Sequence, residues 1–239
     1  MEMSTIMKTI LYKSAERGHA DHGWLDSWHT FSFADYYNPA RMGFRSLRVI
    51  NQDLVTSGAG FPSHPHRDME IFSYVVAGTL EHKDSMGNGR QLKPGQIQLM
   101  SAGSGVTHSE FNPSRDEPLR FLQIWIKPET LGLKPSYTEW HPTSENEHAS
   151  KVLVISPDGR DNSAKIHQDA EVWRMRLQAG ESAHHNLADG RGLWFQLIAG
   201  KILVNGIALE PGDAASTESA GRIEFSASED VEGLLFDLK

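Results

Sequence analysis

Glycine-bearing dipeptides interrupt this chain at short intervals: Ala59-Gly60, Ala77-Gly78, Pro94-Gly95, Ala102-Gly103, Ala199-Gly200, Asn205-Gly206 and Pro211-Gly212. Such pairs mark tight turns, because glycine reaches backbone conformations that other residues avoid. Between them lie short apolar or alternating runs, among them Leu47–Ile50, Ile71–Val76, Gln96–Met100, Leu122–Ile126, Lys151–Ile155, Leu193–Ile198, Lys201–Val204 and Leu234–Leu238. Runs this short, rich in β-branched and aromatic residues, read as strands. No stretch keeps a long helical period. The pattern predicts an all-β chain of antiparallel barrels or sandwiches and argues against βαβ units.

The strand-rich sequence falls into two blocks. A polar segment from Tyr137 to Ser150 separates them, which predicts an N-terminal domain over 1–145 and a C-terminal domain over 146–239. Both blocks carry an apolar strand ending in Ala-Gly, then a second strand, then Pro-Gly. Tyr74–Gly78 with Pro94-Gly95 is matched by Gln196–Gly200 with Pro211-Gly212. The chain therefore reads as an internal duplication.

Two short pairs carry the chemistry. His64-Pro65-His66 and His108-Ser109-Glu110 each place two metal-capable side chains two residues apart. Side chains alternate along a strand, so each pair points to one face. Three imidazoles and a carboxylate converging inside a small barrel make an N₃O site for a divalent transition metal, with positions left open. Magnesium and calcium prefer all-oxygen shells. Fe(II) is the first expectation, with Ni(II), Cu(II), Mn(II) and Zn(II) as alternatives. Glu70 is a fifth candidate ligand. No histidine follows Pro211-Gly212, so the second block reads as metal-free. His184 and His185 are adjacent and would face opposite ways on a strand. His82, His141, His148 and His167 sit in polar surroundings and read as solvated.

Composition removes other chemistries. The chain has no cysteine, which excludes disulfides, thiolate metal sites and a cysteine nucleophile. Its 23 basic against 31 acidic residues give a formal charge of -8, with no basic stripe for nucleic acid. The apolar stretch Ile6–Tyr12 is broken by Lys8, too short for a signal sequence or a membrane span. A monomeric cytoplasmic protein is the expectation.

Gly58, His64-x-His66, Glu70 and Gly78, followed by Gly95, Ala102-Gly103, His108 and Asn112, resemble the two motifs of the cupin superfamily. The spacing departs by one residue before Gly78 and by a longer gap between Gly103 and His108. A closer resemblance lies in Arg17–Phe33, Phe61–Glu70 and Met100–Glu110, which look like the corresponding segments of pirin-family proteins, nearest to the bacterial quercetin 2,3-dioxygenases. That resemblance spans essentially the whole chain and implies a bicupin whose N-terminal domain alone holds a metal. It assigns His64, His66, His108 and Glu110 as ligands and leaves Glu70 a supporting role. It also implies cleavage of the heterocycle of a flavonol such as quercetin by dioxygen, releasing a depside and carbon monoxide. Glu110 would then act as the catalytic base. Phe44, Phe61, Phe111 and Met100 are candidates for lining a pocket or packing the core, and Gln123 for supporting the site. His19, His22 and His29, among Trp24, Trp28, Phe31, Phe33, Tyr36 and Tyr37, read as an aromatic arm packed on the barrel. Two other functions fit the same residues: a non-enzymatic metal- or redox-sensing pirin, and a different cupin activity on another small molecule.

Overall fold

The computed structural model describes residues 8–239, so Ile6 and Met7 of the first apolar stretch lie outside the described residues. The strands are β1 (Thr9–Tyr12), β2 (Gly18–Asp21), β3 (Leu25–His29), β4 (Leu47–Val55), β5 (Gly60–His66), β6 (Glu70–Ala77), β7 (Leu80–Asp84), β8 (Gly89–Leu92), β9 (Ile97–Ser101), β10 (Val106–Phe111), β11 (Leu119–Ile126) and β12 (Ser136–Trp140). They continue as β13 (Lys151–Ser156), β14 (Ala164–Lys165), β15 (Ala170–Leu177), β16 (Ser182–Leu187), β17 (Gly192–Ala199), β18 (Ile202–Val204), β19 (Ile207–Leu209), β20 (Ala214–Thr217), β21 (Gly221–Ala227) and β22 (Val231–Leu238). The only helical pieces among the described residues are two short 3₁₀ turns.

Two compact units result. One comprises residues 17–142 and 157–169; the other comprises residues 8–16, 143–156 and 170–239. In the first, a seven-stranded sheet runs β12-β9-β6-β11-β4-β3-β2 and a four-stranded sheet runs β5-β10-β7-β8. In the second, the larger sheet runs β1-β20-β17-β22-β15-β13 and the smaller runs β16-β21-β18-β19. Every pairing that positions the site is antiparallel. Each unit is thus a jelly-roll sandwich of two separately bonded sheets, not one ladder closed into a barrel. Both sheets feed one core: Val55, Val75 and Phe121 from the larger sheet of the first unit pack with Leu80 and Leu92 from its smaller sheet.

The two units repeat one strand order. β9, β6, β11 and β4 of the first stand where β20, β17, β22 and β15 stand in the second. The turn chemistry repeats with it: Gly78 and Gly200, after the matching strands, both have φ near +80° (81° and 82°). A side chain at either glycine would strike backbone carbonyls, Pro118 O for Gly78 and Asp230 O for Gly200.

Candidate metal centre and cavity

The site is built on the smaller sheet of the first unit. His108 on β10 stands directly opposite His64 on β5, and Val106 opposite His66. The register then slips: Glu110 pairs with Phe61 and not with Pro62. This β-bulge lets Phe61 and His64, three residues apart, both face inward. Gly60 permits the close pairing that follows, since a Cβ there would strike the backbone of Glu110 and Phe111.

Three imidazoles meet at this place. Nε2 of His108 lies 3.0 Å from Nε2 of His66 and 3.0 Å from Nε2 of His64. Two nitrogens bound at about 2.1 Å to one ion at right angles stand about 3 Å apart, so the spacing suits shared coordination. Nδ1–H of His64 donates to Pro62 O at 2.8 Å, which leaves its Nε2 lone pair free to ligate. The ring of His66 also meets the indole of Trp125 edge-on at 4.9 Å. Burial, then the neighbouring His108 and His64, push the His66 imidazole down to about 4. Burial, then His64 and His82, push His108 down to about 3. Both rings are therefore neutral at physiological pH, the form that binds metals.

Glu110 is 1 % exposed and held from the larger sheet. Ser73 Oγ on β6 and Gln98 Nε2 on β9 donate to Oε1 at 2.8 and 2.5 Å. Gln123 Nε2 on β11 donates to Oε2 at 2.6 Å. Its carboxylate groups with His82 and His108 within 4.8 Å, and the ligand nitrogens of His64, His66 and His108 group separately, so the four expected ligands share His108 but do not form one group at that distance. Glu70 is turned elsewhere. It accepts from Ser101 Oγ at 2.6 Å and from the backbone N–H of His167 at 3.3 Å.

A cavity of about 610 Å³ opens onto His64, His66 and Glu110, walled by Trp24, Phe33, Phe61 and Trp125. Two sequence expectations are corrected here. The aromatic arm is no appendage: β2 and β3 are hydrogen-bonded strands of the larger sheet, and His19, His22, Trp24 and His29 line the cavity. His82 is not solvated. It is fully buried, its Nε2 lies 3.2 Å from Asp84 Oδ2, and its ring centroid is 5.3 Å from that of His108. The signal was available in the alternation Leu80-x-His82-x-Asp84, which puts His82 on the face of a buried leucine. His141 and His148 are exposed, and His167 is half-buried. Of the four proposed apolar liners only Phe61 borders the cavity, together with Gln123. Met100 packs with Ile71, Ala102 and Val106.

In the second unit His184 is exposed and His185 buried, on opposite faces of β16. His185 Nε2 lies 2.7 Å from Asp237 Oδ2, and Lys151 Nζ donates to its Nδ1 at 2.8 Å. Among the described residues, both groups of three metal-capable side chains lie in the first unit.

Two family models match the chain. Residues 11–126 match the Pirin family model, and residues 153–238 match that of the quercetinase C-terminal cupin domain. The chain is 50 % identical over 228 residues to a quercetin 2,3-dioxygenase of Escherichia coli K12, covering 95 % of this chain and 97 % of that one. This chain is a member of the pirin family. The crystal structure of YhhW from Escherichia coli superposes with a TM-score of 0.94 at 49 % identity, covering 97 % of this chain and 98 % of that one. A second structure, of bacterial pirin YhhW in complex with nickel(II), has a TM-score of 0.92 at 48 % identity, covering 97 % and 99 %. The chain is a bicupin. No helix among the described residues is long and apolar enough to cross a membrane.

Proposed function

We propose that this pirin is a metal-dependent dioxygenase that cleaves the heterocycle of flavonols such as quercetin, releasing a depside and carbon monoxide. The observation that carries the reading is the cavity: about 610 Å³, aromatic-walled, and open to His64, His66 and Glu110. That volume lies within the range of about 300–1,000 Å³ usual for small-molecule sites. A sensor needs only a closed metal site, whereas turnover needs this access. The relative named quercetin 2,3-dioxygenase and the nickel(II) complex of YhhW support the same reading.

His64, His66, His108 and Glu110 would hold one divalent metal ion, with Fe(II) or Ni(II) foremost. When bound, such an ion lowers the pKa of a coordinated hydroxyl and leaves positions open for substrate and dioxygen. The chain's own groups do the rest. Trp24, Phe33 and Trp125 present flat faces and edges that hold an aromatic ring against the histidines and keep water out. Glu110, steadied by Ser73, Gln98 and Gln123, is placed to take the proton of the flavonol 3-hydroxyl as general base. The buried, neutral imidazoles of His66 and His108 do not compete for that proton near neutral pH.

The test is anaerobic reconstitution with Fe(II), Ni(II), Cu(II), Mn(II) or Zn(II) in turn, followed by quercetin in air. Metal-dependent loss of quercetin absorbance with carbon monoxide in the headspace is expected. Stoichiometric metal with no carbon monoxide from any reconstitution overturns the flavonol reading.

A further inference from the structure

One wall of the cavity carries a second polar cluster. Ser27 and His29 on β3 stand opposite Asp53 and Asn51 on β4, and all four line the cavity. Nδ1–H of His29 donates to Asn51 Oδ1 at 2.9 Å, so those two groups satisfy each other. Asp53 is different. It is 3 % exposed, and its Oδ1 accepts from Ser27 Oγ. Its other oxygen takes no hydrogen bond from the described residues, and it is not among the fully covered unpartnered atoms. That oxygen therefore opens onto the cavity.

A buried carboxyl with a free oxygen costs stability unless something bonds to it. No cation stands against it: its charged neighbours are Glu110 and Asp26, both acidic. Burial first, then Glu110, push the carboxyl up to about 7 in the metal-free chain, and in either protonation state its oxygen accepts from a hydroxyl. A ligand anion would meet repulsion here, and an apolar group would strand the oxygen. A neutral hydroxyl fits both constraints.

We infer that Asp53 is a specificity residue of the cavity, hydrogen-bonding a hydroxyl of the bound aromatic and so selecting polyhydroxylated rings over bare ones. The inference rests on the flavonol reading and goes further, because the hydroxyl concerned is not the one directed to the metal. Selection of this kind is strong where a built hydrogen-bonding partner is left unpaired by the wrong ligand.

The test compares quercetin with 3-hydroxyflavone, which keeps the 3-hydroxyl and lacks the others. Dissociation constants are read anaerobically on nickel-loaded protein, from quenching of tryptophan fluorescence, with Trp24 and Trp125 in the cavity wall as reporters. The wild type is expected to favour quercetin about tenfold or more. In Asp53→Ala that preference falls to about twofold or less, because quercetin loses its bond and 3-hydroxyflavone no longer strands a buried oxygen. Asp53→Leu, which keeps the branching at Cγ and is unable to hydrogen-bond, repeats the measurement where the alanine cavity costs the fold. An undiminished preference in either folded variant overturns the assignment, as does a wild type that binds both ligands equally. If the wild type binds neither ligand, the flavonol reading falls first and this inference with it.

Discussion

The two units share a strand order and differ in what their inner faces hold. Pairing register aligns them residue by residue. His108 opposite His64 corresponds to Ile223 opposite His185, and Glu110 opposite His82 corresponds to Phe225 opposite Val204. The donors that hold Glu110 are replaced as well. Ser73 and Gln123, paired on β6 and β11, answer to Phe195 and Leu235 on β17 and β22. Gln98, four residues past Pro94, answers to Ala215, four past Pro211. Asp53 answers to Met175. Ile223, Phe225, Val204, Phe195, Leu235, Ala215 and Met175 all belong to one buried apolar core. The first unit thus gives up the core its twin keeps and gains a cavity and a polar cluster. A scaffold of this order folds around apolar residues, and the site is the price of function in one copy.

The comparison breaks most sharply at His108. Replacing it with the residue its twin carries, His108→Ile, should abolish stoichiometric nickel binding while thermal unfolding stays cooperative. Metal content by mass spectrometry after dialysis decides it, and one equivalent retained would remove His108 from the ligand set. His184→Ala, on the outer face of β16, should leave metal content unchanged. The reverse effect belongs to the second unit. Phe225→Ala should destabilise that unit by about 3–5 kcal/mol, the cost of deleting a buried aromatic from a filled core. Urea unfolding followed by segment-resolved hydrogen exchange would read it. A loss under about 1 kcal/mol would mean that this core is not what holds the unit.

Much of this was legible in the sequence. The i, i+2 spacing placed His64 with His66 and His108 with Glu110, because alternation along a strand is a local rule. The turn glycines gave the strand-rich, duplicated architecture for the same reason. Other features depend on partners far away in the chain. That Glu110 is held by Ser73, Gln98 and Gln123 follows from three strands' registers, which no local pattern states. The bulge that turns Phe61 inward is likewise invisible before pairing is known. The aromatic segment after Gly18 has a composition that suits a packed arm as well as strands at the sheet edge, and only its pairing with β4 decides between them. His82 reads as solvated beside Glu81, Lys83 and Asp84, yet alternation with Leu80 puts it on the buried face.

A smaller effect sharpens the role of the supporting amides. Gln123→Leu imports the twin's residue and removes one donor from Glu110. It should keep the metal and slow quercetin turnover about tenfold, in line with about 1–2 kcal/mol for a bond to a charged group. Unchanged turnover at unchanged metal content would mean that Ser73 and Gln98 suffice to place the carboxylate.

The smallest expected effect separates the units by acid. In the metal-free protein His66 and His108 sit well below their ordinary value of 6.5, at about 4 and about 3. The unfolded chain therefore binds protons that the folded first unit refuses. Below about pH 6.5 these two imidazoles withdraw stability progressively towards pH 4, a loss that exceeds what Asp53 of the same unit, pushed up to about 7, returns over that range. The second unit has a different acid-sensitive group. Burial pushes Asp237 up, but the bonds from His185 and Arg191 outweigh it and hold the carboxyl below its ordinary 3.8. The stability contributed there persists until pH falls below that value. Hydrogen exchange on metal-free protein between pH 7 and pH 4.5 should thus show protection lost in β5 and β10 before β16 and β21. Saturating nickel should shift the first loss to lower pH, since ligated imidazoles are held neutral. Simultaneous loss in both units would mean that the buried imidazoles do not govern the acid response of the first.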